Sequence, residues 1–217
     1  MMNVNAPQSM ASIVAGVAYN GGVVLGADYV TGTGIDVANP ESDRITELAD
    51  KVYIFHSGSA ADSQIVSEFF LRKKHIIQIG QPVTVKAAAN LIEEIYYSNS
   101  RVEANLIVGG WNKLEGGKIY GIHCGGVLIE EQFAVGGYGT NYLYGLINEP
   151  WKEVMTKEEA EQLVAKVVSI AIARHGVGGV GVRTVIINSE GVTMNFYPID
   201  DESEQQNSLF DLLNAGR

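Results

Sequence analysis

Charged residues are scarce in this chain of 217 residues, and basic residues are the scarcer kind. Asp, Glu, Lys and Arg make up 18% of the sequence, and 15 basic residues oppose 25 acidic ones, for a formal net charge of −10. Nucleic-acid binding needs Lys and Arg gathered on one face to neutralise phosphates. The sequence therefore predicts no nucleic-acid partner. The low charged fraction also predicts that other proteins cover part of the surface.

Cysteine is almost absent, since the chain has only Cys124. One cysteine forms no internal disulfide, and it shares no ligand spacing with His75 or His123, so we expect no disulfide and no metal site. No run reaches the roughly 20 apolar residues that cross a bilayer, and residues 1–10 lack the pattern of a secretory signal. We expect a protein of the cytoplasm and nucleus that uses no cofactor and no membrane.

Apolar residues are abundant, at 46% of the chain, and they occur in short runs separated by glycine-rich turns. The runs at 12–20 and 23–28 are joined by Asn20-Gly21-Gly22, which is typical of a tight β-hairpin because such a turn needs positive φ. Similar runs predict further strands at 44–48, 51–56, 104–111, 118–123, 127–129, 132–135, 183–188 and 193–197.

Helical spacing interrupts the strands in three places. Apolar residues recur at four-residue intervals after Ser59 and again after Pro82. A longer helix is predicted from Thr156 to Arg174, where Thr156 and Glu159 have the spacing of a capping box. This order of elements does not alternate singly, as a doubly wound parallel sheet would require. We therefore predict one α+β domain in which two antiparallel sheets stack between helical layers.

Several motifs follow one another along nearly the whole chain: the hairpin at 18–28, Ser57-Gly-Ser-Ala-Ala-Asp62, Gly136-Gly-Tyr-Gly139 with Tyr142-Leu-Tyr-Gly145, and Met155-Thr-Lys-Glu-Glu159. In this order they resemble the beta subunits of the proteasome core particle. The run 57–64 with Gly109-Gly-Trp111 resembles the caspase-like subtype (beta type-1 or type-6). The resemblance implies the N-terminal-nucleophile (Ntn) hydrolase fold, a four-layer alpha-beta-beta-alpha sandwich. It divides the chain into a propeptide-like extension (1–11), the hydrolase domain (12–199) and an acidic tail (200–217).

The resemblance also implies where a catalytic site would lie. Active members of the family are cut before a threonine, whose hydroxyl attacks the peptide while its freed α-amine acts as the base. Here that position is Ser12, and it follows Ala11 instead of the usual glycine. The aspartate of the second strand is present as Asp28, whereas the lysine of the third strand is replaced by Arg44. A planar guanidinium that stays charged is no chemical substitute for an ammonium.

Other positions near the implied site also depart from the family pattern. Tyr138 replaces a small serine, and His175 and Gly178 replace an aspartate and a serine after the long helix. Because catalytic groups act as a unit, these changes favour a subunit whose activity is lost or impaired. His56 stands where active caspase-like subunits carry a basic residue in the substrate pocket, although a histidine there is also compatible with a purely structural role.

Three functions follow from these residues. In the first, the chain is a structural beta subunit of the 20S particle for ATP- and ubiquitin-dependent protein degradation. Its partners are then alpha subunits and other beta subunits, within the ring and across the beta-beta interface, and Ser12, Asp28 and Arg44 are vestigial. In the second, removal of residues 1–11 frees Ser12 to cleave peptide substrates after acidic residues. A homomeric peptidase of the same fold is disfavoured, because one altered sequence would then supply every active site.

Overall fold

The computed structural model describes residues 13–29, 44–57, 60–77, 82–98, 105–123, 125–137, 139–175 and 180–199, which form ten strands and four helices. The strands are β1 (Ile13–Tyr19), β2 (Gly22–Tyr29), β3 (Ile45–Ala49), β4 (Val52–Ser57), β5 (Asn105–Asn112), β6 (Gly116–His123), β7 (Val127–Glu131), β8 (Phe133–Gly137), β9 (Gly181–Asn188) and β10 (Val192–Pro198). The helices are α1 (Ala60–Ile77), α2 (Val85–Ser98), α3 (Thr140–Asn148) and α4 (Lys157–His175).

The strands form two five-stranded antiparallel sheets. Sheet A has the order β10-β9-β2-β1-β8, and sheet B has the order β3-β4-β5-β6-β7. A buried core that includes Leu25, Phe55 and Ile107 lies between the sheets. Helix α4 packs on the outer face of sheet A, and α1 and α2 pack on the outer face of sheet B. The four-layer α+β sandwich expected from the sequence is confirmed.

The opening hairpin also forms as predicted, and glycine is required there for two reasons. Gly21 has a φ of +115°, which residues with a side chain rarely adopt. Gly117 of sheet B comes so close to the same turn that a Cβ on it would lie 2.6 Å from the backbone of Gly22. The two sheets therefore meet backbone to backbone at this point.

Helix α3 is the described helix that the sequence does not predict. It begins after Gly139, whose φ is +79°, and buries only Leu143 and Ile147. Nine residues with glycines before and within them give too few apolar repeats for a helical period to stand out. Its packing against β8, rather than a local pattern, stabilises this helix.

The predicted capping box of α4 is present. The Thr156 N–H donates to Glu159 Oε2 at 2.9 Å, and the Glu159 N–H donates to Thr156 Oγ1 at 3.2 Å. These two bonds satisfy backbone donors that the first helical turn leaves unpaired. The predicted helix start is therefore confirmed to within one residue.

Glu161 of α4 fixes the last two strands of sheet A to this helix. Its Oε1 atom accepts hydrogen bonds from Thr184 Oγ1 at 2.9 Å and from Asn195 Nδ2 at 2.7 Å, and the Tyr197 hydroxyl is a further donor. Burial alone would raise the pKa of Glu161, but these hydrogen bonds outweigh it and the pKa is lowered. Charge-assisted hydrogen bonds therefore hold β10 against the α4 layer.

We expect Glu161→Gln to lower the free energy of unfolding by about 1–2 kcal/mol near neutral pH, because a neutral amide accepts weaker hydrogen bonds. The folded-state pKa is the lower one, so this contribution is present above the pKa of the unfolded chain and is lost as the pH falls through the folded-state value. Urea unfolding of both proteins over this range should show a difference that closes in acid. Glu158→Gln, at an exposed position of α4, is the control. A difference that does not change with pH would contradict this role.

Candidate active site

The strand ends that carry the candidate residues lie together at one end of the sandwich, which we call the site edge. β1 begins directly after Ser12, β2 ends directly after Asp28, β3 begins directly after Arg44, and β4 ends directly after His56. Antiparallel pairing places these strand ends on the same side of their sheets. The implied catalytic positions therefore converge although they are far apart in the sequence.

Asp28 is the centre of the described part of this site, and its side chain is only 2% exposed. Its Oδ1 atom accepts a hydrogen bond from the Ile13 N–H at 3.0 Å and lies 3.3 Å from Arg44 Nε. Ile13 directly follows Ser12, so this carboxylate anchors the backbone beside the candidate nucleophile. The structure thus brings together two of the implied catalytic residues, Asp28 and Arg44, at the start of β1.

The charges of the pair oppose the effect of burial. Burial is the largest influence on Asp28 and raises its pKa, while the Arg44 charge and the Ile13 N–H act in the opposite direction. The Arg44 side chain is 12% exposed, so the two charges interact largely away from water. A guanidinium pairs well with a carboxylate but does not give up its proton. The arrangement therefore suits a structural ion pair better than proton transfer.

His56 lies at the same site edge as Asp28 and Arg44, but its side chain is on the face of sheet B that is turned away from sheet A. Its backbone N–H donates to the Arg44 carbonyl oxygen at 3.1 Å, and the residue is 4% exposed. Along β4, Phe55 faces the core between the sheets and Ile54 faces α1 and α2. Alternation places the His56 side chain on the helix-facing side. The structure therefore places the backbone of His56, but not its side-chain face, beside the ion pair.

The remaining candidates fall outside what the structure describes. Ser12, Tyr138 and Gly178 are not among the described residues, and His175 is described only as the last residue of α4. Their part in the site stays a prediction. Among the described residues, no group of three or more His, Cys, Asp or Glu side chains is placed to hold a metal ion. No helix in the described ranges is long and apolar enough to cross a membrane.

Two features of the site are not predicted from the sequence. The first is the Ile13 N–H, because a backbone donor leaves no mark in the amino-acid pattern. The second is a contact of three strands at the same edge. Ser57 Oγ donates to the Asn105 carbonyl oxygen at 3.0 Å, and a Cβ on Gly136 of β8 would lie 3.0 Å from Asn105 Cβ. Gly136 is the residue in the sequence that could have indicated this contact, because the absence of a side chain lets β8 approach Asn105 closely.

The layers and the site together define a class of protein. Two antiparallel sheets lie between helical layers, and a buried aspartate anchors the first strand at the edge where the candidate nucleophile is attached. This is the Ntn-hydrolase type of sandwich. The model of the proteasome subunit family matches residues 9–187, and the chain belongs to this family.

Full-length relatives give the type of subunit. The chain is 59% identical over 223 residues to the proteasome subunit beta type-6 of Arabidopsis thaliana, with 99% of this chain and 96% of that protein covered. It is 38% identical to the beta type-6 subunit of Dictyostelium discoideum, with 89% and 92% covered. It is 36% identical to the probable beta type-1 subunit of Schizosaccharomyces pombe, with 88% and 86% covered. The chain is thus a beta-type subunit of the proteasome core particle.

A double-mutant cycle tests the ion pair. Arg44→Met should lower the free energy of unfolding by about 3–5 kcal/mol, because it leaves the Asp28 charge buried without its partner. Adding Asp28→Asn removes that charge, so the double variant should be more stable than the sum of the single effects by at least about 1.5 kcal/mol. Denaturant unfolding measures all four proteins.

The pair between Arg72 and Glu68 on α1 provides the matched control, because these side chains are 79% and 53% exposed. The same cycle there, with Arg72→Met and Glu68→Gln, should give a coupling below about 0.5 kcal/mol. Additive single effects at Asp28 and Arg44 would show that the two residues do not act as a pair.

Proposed function

We propose that this beta-type subunit has a structural role in the core particle and that its own peptidase site is silent. The supporting observation is the contact between Asp28 and Arg44, in which Oδ1 is engaged by the guanidinium and by the Ile13 N–H. An N-terminal nucleophile needs a proton acceptor and a compact cation beside it. Arginine supplies a fixed planar cation that holds the carboxylate in place. The residues at this edge therefore serve to anchor β1.

Assembly is the function that remains for a silent subunit. Membership of the family implies association with other proteasome subunits. We infer contacts with beta subunits in its own ring, with beta subunits across the beta-beta interface, and with alpha subunits. Peptide substrates are then cleaved by other members of the particle. The single cysteine is compatible with a reducing compartment, and we propose the cytoplasm and nucleus.

The contact between Asp28 Oδ1 and the Ile13 N–H also favours a second candidate function, because it fixes the backbone directly after Ser12, the candidate nucleophile. In this alternative, removal of residues 1–11 exposes the Ser12 amine, and the subunit cleaves after acidic residues. A serine hydroxyl is chemically able to replace threonine as the nucleophile.

Core particles that carry Ser12→Ala should cleave peptides after Asp or Glu at the same rate as particles with the natural chain. The reason is that an inactive site makes no contribution to this cleavage that the substitution could abolish. The assay uses a fluorogenic post-acidic substrate with particles of equal subunit content. Ser189→Ala, which removes an exposed hydroxyl at the turn between β9 and β10, is the control. If fully assembled Ser12→Ala particles lose about tenfold or more of this activity while the control does not, the endopeptidase function is correct.

A further inference from the structure

Strand β10 forms an edge of sheet A that no described strand covers. It pairs with β9 on one side, and no strand among the described residues pairs with its other side. Its seven residues, Val192–Pro198, include no charged side chain. Met194 and Phe196 are nevertheless 54% and 48% exposed. An uncharged edge strand with exposed apolar side chains readily pairs with other chains, so native proteins cover such edges.

The other sheet edges in the described part of the chain are protected. β3 carries Glu47, and β7 carries Glu130 and Glu131. β8 is uncharged, but its central residues are buried and α3 packs against it. Charges or a helix thus protect three edges, whereas no charge or helix of the described residues protects the outer side of β10. We therefore expect another segment or chain to pack over β10 in the native protein.

The exposed part of β10 has a defined shape on the face toward sheet B. Phe196 lies over Gly181, where a Cβ would come within 2.5 Å of the ring. The ring also packs edge-on against Tyr29, with 5.5 Å between centroids, and the Arg183 guanidinium carbon lies 4.4 Å from the centre of the Tyr29 ring. With Met194, these side chains form what we call the β10 platform. It combines a packed apolar surface with one cation.

We propose that residues 209–213 of this same chain cover the β10 platform. The segment reads Leu-Phe-Asp-Leu-Leu, so it offers four large apolar side chains around a single carboxylate. These apolar side chains match the exposed apolar side chains of Met194 and Phe196. The residues that precede it include the acidic run 200–204, which suits a solvated connection.

Chain length favours this occupant over a second copy or a neighbouring subunit. Ile199 is held by a hydrogen bond from its N–H to the Val180 carbonyl oxygen, so nine residues, 200–208, connect it to Leu209. They span up to about 30 Å when extended, which exceeds the roughly 23 Å length of a seven-residue strand. Leu209 is therefore able to reach any point along β10. A short covalent connection also gives an effective concentration on the order of millimolar. The proposal does not depend on whether Ser12 is active.

Disulfide cross-linking in the full chain tests the proposal. In a Cys124→Ala background, Met194→Cys with Leu212→Cys should form a disulfide within one chain on mild oxidation, and its yield should not change on dilution. The control pair replaces Met194→Cys by Thr193→Cys. Thr193 is also exposed, but it pairs with Ile186 and so faces the α4 side of sheet A. We expect the control yield to be lower by about fivefold or more.

The other outcomes reject the proposal. A disulfide-linked dimer whose yield falls on dilution would identify a second copy as the cover, and a link to another subunit in assembled particles would identify a neighbour. Equal yields from the two cysteine pairs would mean that residue 212 has no defined position on the platform. Hydrogen exchange gives a second test without cysteines. Deleting residues 205–217 should speed exchange of the β10 amides but not of the β7 amides, and unchanged β10 exchange would overturn the proposal.

Discussion

The Asp28 carboxylate joins three parts of the chain that the sequence keeps apart: the start of β1, the end of β2 and the residue before β3. Because β1 and β2 belong to sheet A and β3 to sheet B, this contact ties the two sheets together at one edge. A buried charge is tolerated only when it is paired and hydrogen-bonded, and here one oxygen atom has both partners. The backbone of Ile13, beside Ser12, is therefore held by a contact that the buried Asp28 charge requires for stability.

The same contact explains why the fold of a peptidase does not by itself imply peptidase chemistry. Fold and activity are separable, since a site depends on particular groups placed on the scaffold. Arg44 has the same positive charge as the lysine that it replaces, so it still links the two sheets. Its guanidinium, however, stays charged and does not exchange protons as an ammonium can. This combination is the basis of the structural role that we propose for the subunit.

Most of the architecture was predictable because it rests on local patterns. Asn20-Gly21 marked the first hairpin, and Thr156 with Glu159 marked the start of α4. Helix α3 was missed, because nine residues with glycines nearby carry too short a period. Likeness to a known family placed Asp28 and Arg44 in one site, but the Ile13 N–H has no sequence signature. The exposure of Phe196 was not predictable either, because alternation at 193–197 looks the same whether or not a second sheet covers the strand.

A silent site has a direct chemical consequence, since an N-terminal nucleophile exists only after the peptide bond before it is cut. The intact mass of this subunit, taken from purified core particles, reports on that bond. The account predicts a chain in which the Ala11–Ser12 bond is uncut. A mature chain that begins at Ser12 would contradict it.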